Sequence, residues 1–104
     1  MLVSEFLNDD RFELVTDTIN DKLIKGAYCG DLLSWVMANI NDNYVWVTVH
    51  THVNIIAVAS LTGIPCIVIP ENIKIEPYTV EKANDEGVIL LGTFVLVKEY
   101  FSKD

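Results

Sequence analysis

Several things are scarce in this chain of 104 residues, and each scarcity removes a class of function. Basic residues number only seven (Arg11, Lys22, Lys25, Lys74, Lys82, Lys98 and Lys103), against fifteen acidic ones, for a net charge of −8. They are scattered and make no basic face, so nucleic acid and anionic membrane are excluded as partners for such a field. No apolar run approaches the roughly 20 residues that a bilayer span requires. The opening stretch, MLVSEFLNDDRFE, carries acid where a secretion signal carries base, so the chain is expected in the cytoplasm. There are two cysteines, Cys29 and Cys66, in unlike contexts and without a CxxC motif. Two thiols in such a chain fit a reducing compartment, with a single pairing between them left open. Neither GxxxxGK[ST] nor GxGxxG occurs, which excludes a P-loop kinase and a dinucleotide fold of the usual kind.

What is abundant is apolar residue. The hydrophobic share is 51% and only 21% of residues are charged; mean hydropathy is +0.33. That composition builds a packed core, and a chain this long buries roughly 60–70% of its unfolded surface as one domain. The organising stretch is Tyr44 to Pro70, YVWVTVHTHVNIIAVASLTGIPCIVIP. Tyr44–Val49 is β-branched and aromatic without polar alternation, as in a central parallel strand covered on both faces. After a break at His50–Asn54, Ile55 to Leu61 continues as a buried helix that Gly63 ends, and Cys66–Ile69 is a second apolar strand stopped by Pro70. A strand–helix–strand unit of this kind crosses over right-handed, with its strands parallel.

Around it, apolar positions 2, 3, 6 and 7 have the spacing of one helical face. Arg11–Thr16 alternates like a half-exposed edge strand, and residues 22–29 read as the next strand. Asp31 to Asn39 reads as a helix with Leu32, Leu33, Val36, Met37 and Ile40 as its apolar stripe and Trp35 at the margin. Pro77 to Gly87 reads as a helix, Val88–Leu91 as the last strand, and Phe94–Phe101 as a closing helix capped by Thr93. The alternation predicts a single three-layer α/β domain: a mostly parallel sheet of four or five strands, with helices on both faces. Its parallel strands begin near residues 22, 44, 65 and 88; the strand at 11–16 is expected to pair antiparallel with the one that follows it.

In an open parallel sheet, ligands sit outside the carboxyl ends of the strands. Here those ends carry Cys29, Gly30 and Asp31, then His50, Thr51, His52 and Asn54, then Glu71 and Asn72, then Thr93. A pocket is the functional reading; helix capping by Asp31, Thr51 and Thr93 is the structural alternative. If the strand persists through His50 and His52, both rings project to one side at a spacing that can chelate a metal; a turn there makes them loop residues. No HExxH or CxxC accompanies them, so no metal site is assigned. Cys29 precedes a helix start, which lowers a thiol pKa, while Asp31 beside it works in the opposite direction. No catalytic residue and no cofactor is named by these patterns. An enzyme would need Cys29, Asp31, His50 and His52 to converge.

The stretches GAYCGDLLSWVM (26–37), TVHTHVNIIAVAS (48–60) and ANDEGVILL (83–91) resemble the DRTGG-domain family. In particular they resemble short, free-standing bacterial members, some encoded near iron-only hydrogenase or redox genes. Related domains form the N-terminal half of HPr kinase/phosphorylase and accompany CBS domains. The likeness covers residues 22–104, and residues 1–21 loosely; the literal Asp-Arg-Thr-Gly-Gly string and the kinase domain are lacking. The resemblance implies a regulatory or assembly module, with a partner in a redox or signalling system, and no catalysis. It implies a small ligand or protein bound at the carboxyl edge, or else assembly alone. The load of tryptophan, phenylalanine and tyrosine, more than a sheet of this size can hide, predicts a homodimer involving Trp35 or Met37.

Overall fold

A computed structural model describes residues 1–17 and 21–95. A 3-10 helix at Val3–Asn8 leads into β1 (Phe12–Leu14). Then follow β2 (Gly26–Cys29), α1 (Leu33–Asn39), β3 (Tyr44–Val47), α2 (Asn54–Thr62), β4 (Ile67–Ile69), α3 (Pro77–Glu86) and β5 (Leu90–Thr93). The sheet order is β1-β5-β4-β3-β2, with β2 to β5 parallel and β1 antiparallel to β5.

The order dictates the layers. Strands β2, β3, β4 and β5 advance across the sheet one place at a time, and right-handed crossovers that all step in one direction leave their helices on one face. That face holds α1, α2 and α3; the 3-10 helix covers the other. Strand β3 shows how the apolar run is used: Trp46 enters the core under the α-helices, while Val45 and Val47 enter the core of the opposite face with Val3, Phe6 and Phe12. Ile67 and Ile69 alternate with Cys66 and Val68 in the same way, so both faces are buried and no polar alternation appears.

The strand at the start of the chain corrects one expectation. β1 pairs with β5, in the register Phe12 to Thr93 and Leu14 to Leu91, and not with β2. Leu23 makes only an isolated bridge to Leu2, so β2 itself begins at Gly26 and closes the opposite edge. The first helix is 3-10, and its three-residue turn buries Val3 and Phe6 while Leu2 and Leu7 stay exposed. β5 runs two residues later than the apolar stretch indicates, so Thr93 ends a strand. The closing helix expected at Phe94–Phe101 lies, from residue 96 on, outside the described residues.

Gly63 and Gly87 end α2 and α3 in left-handed conformation, φ 69° and 72°, as the sequence indicates. Among the described residues no helix is long and apolar enough to cross a membrane.

Candidate functional site

The carboxyl ends of β2 and β3 bring together most of the polar residues singled out above, and tie them into a latch. The Asp31 carboxylate accepts a hydrogen bond from the Thr48 hydroxyl at 2.8 Å and from the Val49 amide at 3.0 Å. The Thr48 oxygen in turn accepts the His50 amide at 3.2 Å, and Thr48 is buried. Gly30 holds the other side: its carbonyl accepts the Trp46 indole N–H at 2.9 Å, and its amide donates to the Val47 carbonyl. A side chain on Gly30 would press against Tyr28 at 3.1 Å and Val36 at 3.3 Å, which accounts for glycine there.

Capping is therefore distributed differently from the expected pattern. α1 starts after Leu32 without a side-chain cap, since the Asp31 carboxylate reaches across to the loop after β3. At the start of α2 it is the His52 ring that serves, Nδ1 accepting the Asn54 amide at 3.2 Å. Thr51 contributes its backbone carbonyl, which accepts the hydroxyl of buried Thr79 on α3 at 2.6 Å. The Thr93 hydroxyl accepts the Val95 amide.

The four side chains that chelation or catalysis would draw together stand apart in this structure. β3 ends at Val47, so no strand carries His50 and His52 to one side. Among the described residues no three His, Cys, Asp or Glu side chains are placed to share a metal ion. No hydrogen bond joins any two of the Cys29, Asp31, His50 and His52 side chains. The Cys29 thiol, at an exposed position, is pushed up by the part of its surroundings that excludes water and then by the Asp31 charge, the reverse of activation. Cys66 immediately precedes β4, two strands and roughly 9.6 Å across the sheet from β2. The two thiols are free.

The open volume at the carboxyl edge lies at the other end of the sheet. A cleft of about 480 Å³ is lined by Arg11, Phe12 and Glu13 of β1, by residues 72–75, by Val80 of α3 and by Gly92 and Thr93 of β5. Its rim is fixed by a tight turn after β4, in which Glu71 (φ 61°) and Asn72 (φ 56°) are both left-handed, the signature of a type I′ turn. The Ile73 amide closes that turn onto the Pro70 carbonyl, while the Glu71 and Asn72 amides donate to the carbonyls of Val95 and Thr93. These bonds offset a cost of roughly 1–2 kcal/mol for each left-handed residue with a side chain. On the opposite rim, Asp9 accepts several hydrogen bonds from Arg11, which hold its carboxyl down at about 2.

Of the residues the sequence singled out, Asn72 and Thr93 line this cleft. Arg11 and Lys74 were missed, because β1 reaches β5 by a pairing between distant parts of the chain. The alternation at 11–16, in a chain this poor in basic residues, is the signal that marks Arg11. A second groove, about 420 Å³, runs between α2 and α3 past Ala57, Leu61, Tyr78 and Lys82.

No protein-family model matches the chain, and no curated protein sequence matches it. Among solved structures, the fold is similar to that of the regulatory region of a Clostridium perfringens pyrophosphatase. That region comprises CBS and DRTGG domains and was crystallised with its activator, diadenosine tetraphosphate. The TM-score is 0.66 over 90% of this chain, at 9% identity. This chain spans 41% of that longer one, and the likeness is one of fold.

Proposed function

We propose that the chain is a non-catalytic regulatory or sensor module, one DRTGG-like domain over 1–104, that takes a small ligand at the carboxyl edge of its sheet. The observation that carries this is the cleft at the ends of β4 and β5, where α/β sheets of this kind bind ligands. Asn72, Lys74 and Thr93 are the contacts assigned to the ligand. The group at the ends of β2 and β3 (Cys29, Gly30, Asp31, His50, Thr51, His52 and Asn54) is assigned to holding the same edge in shape, through the Asp31–Thr48 latch. The fold shared with a pyrophosphatase regulatory region supports a regulatory role. A cytoplasmic setting rests on the acidic opening stretch and on two thiols without a CxxC motif, and a partner in redox or hydrogenase metabolism rests on the sequence resemblance alone.

A thermal-shift screen tests this reading. Adenine nucleotides, diadenosine tetraphosphate, redox cofactors and divalent metals are each added to the full chain. A true ligand at 100 times its Kd adds about 2.7 kcal/mol of stability, and Lys74→Ala with Thr93→Ala removes that gain. A melting temperature unmoved by every class sinks the ligand reading.

The second reading is assembly: a homo-oligomeric interaction protein whose partner is another copy of itself. The exposure of Leu32 (68%), Trp35 (62%) and Met37 (44%) on α1 favours it. In that case alanine at both His50 and His52 leaves the assembly intact.

A further inference from the structure

We infer that two copies of this chain join edge to edge at β2, with Leu32 and Trp35 of each α1 packed over the seam. The inference deepens the self-association reading above by assigning its surface.

The position of α1 in its layer carries the first part. Consecutive helical residues are about 100° apart, so with Val36 buried against the sheet, Leu33 and Ile40 fall on one flank, and Leu32 and Trp35 on the other. Leu33 and Ile40 are half-buried against the core shared with α2, the helix next to α1. Leu32 and Trp35 therefore overhang the opposite side, where β2 is the last strand of the sheet. Met37 sits on the α2 shoulder and is left out of the seam.

The strand below supplies the second part. Gly26–Cys29 pairs only with β3, so its outer N–H and C=O groups have no strand beside them among the described residues; the outer edge just before it, at Lys22–Ile24, is taken by Met1–Val3. It carries no bulge or proline of the kind that blunts an open edge. Two such edges pair antiparallel about a two-fold axis perpendicular to the sheet. That operation keeps both α1 helices on the same face and turns their Leu32–Trp35 flanks toward each other.

Charge selects the occupant. A chain of net charge −8 repels its own copy over most of its surface. From Lys22 to Ile40 the charged residues are Lys22, Lys25 and Asp31, and the Asp31 carboxylate is engaged by Thr48 and Val49. The α2–α3 groove also shows apolar side chains, Leu61 and Tyr78. Yet α3, which forms one of its walls, carries Glu81, Asp85 and Glu86 against Lys82 alone, and Lys82 has Glu86 beside it at 3.9 Å. At the β2 edge Lys22 and Lys25 stand against Glu5 and Asp21, whose carboxylates are engaged by the Leu2 amide and by Ser4, so this edge presents less unbalanced acid to a second copy than the groove does.

Sedimentation equilibrium at high micromolar concentration, with amide hydrogen exchange on the same samples, tests this. The wild type is expected at twice the chain mass of 11.7 kDa. Trp35→Glu and the milder Trp35→Ser are expected at single-chain mass with unchanged circular dichroism, and Leu61→Glu at dimer mass. The amides of Gly26–Cys29 are expected to gain protection as concentration rises. A wild type at single-chain mass overturns self-association and this surface together. A dimer that survives both Trp35 variants, or that Leu61→Glu dissolves, overturns the surface alone. A dimer whose Gly26–Cys29 amides exchange as fast as in dilute protein overturns the edge pairing.

Discussion

Helices α1 and α2 are both written in apolar residues, and the fold treats them oppositely. α2 buries Ile55, Ile56, Val58 and Ala59, whereas α1 buries Val36 alone and leaves Leu32, Trp35 and Met37 in solvent. The difference is one of place. α2 lies over β3 and β4 with a helix on each side, and α1 lies over the last strand with a neighbour on one side only. Burial in this molecule follows position in the layer, so composition alone reads a helix as apolar without saying whether its own chain covers it.

The two tryptophans break or sustain that comparison most sharply. Trp46 is fully buried in the central strand and donates its indole N–H to Gly30, so Trp46→Ala is expected to cost about 3–5 kcal/mol. Trp35→Ala in dilute protein is expected to stay within about 0.5 kcal/mol of wild type, as surface changes do. Urea denaturation of both decides; equal losses would mean that the edge helix is held as firmly as the central strand.

The cysteines repeat the contrast in chemistry. Cys66, buried just before β4, has its thiol raised from 9.0 to about 12 by loss of water. Because the folded value lies above the unfolded one, the stability tied to the neutral thiol is whole below pH 9 and is lost as pH climbs toward 12. The expected loss is about 1.4 kcal/mol for each pH unit in that window. Denaturation midpoints from pH 8 to 11 should show this slope, and Cys66→Ala should flatten it. Exposed Cys29 should take a thiol reagent in the folded state while Cys66 does not.

Next in size comes the latch. Asp31→Ala removes the acceptor of two hydrogen bonds and leaves the buried Thr48 hydroxyl without its acceptor, at an expected cost of about 1–2 kcal/mol. Asp31→Asn keeps an oxygen in place and should restore most of it. If alanine and asparagine behave alike and cost nothing, the loops after β2 and β3 are not held by this contact.

What the sequence made legible is what local chemistry decides. The glycines at 63 and 87 and the proline at 77 act through their own backbone and stand where they were read, and the apolar run read as a strand over Tyr44–Val49 forms one over Tyr44–Val47. The long-range choices were hidden. Nothing local states that β1 crosses to β5, because that pairing depends on which edge is left open after four parallel strands have formed. With it went the cleft, one wall of which is β1 with the residues flanking it. The polar residues at the strand ends were found, but their partners are backbone groups of neighbouring loops: Asp31 reads as a cap until the loop after β3 is placed against it.

The smallest effect separates the two exposed leucines. Leu32 on α1 and Leu61 on α2 are exposed to 68% and 75%, so in dilute protein alanine at either should shift stability by no more than about 0.5 kcal/mol. They part company only through mass action. Association that favours the folded state raises the melting temperature with protein concentration. Leu32 sits on the uncharged flank above β2, and Leu61 beside the acidic run of α3. Leu32→Ala should therefore flatten the rise of melting temperature with concentration, and Leu61→Ala should leave it as in wild type. Parallel curves for all three proteins would mean that the two surfaces are equally idle, and that position in the layer explains exposure without any partner to cover it.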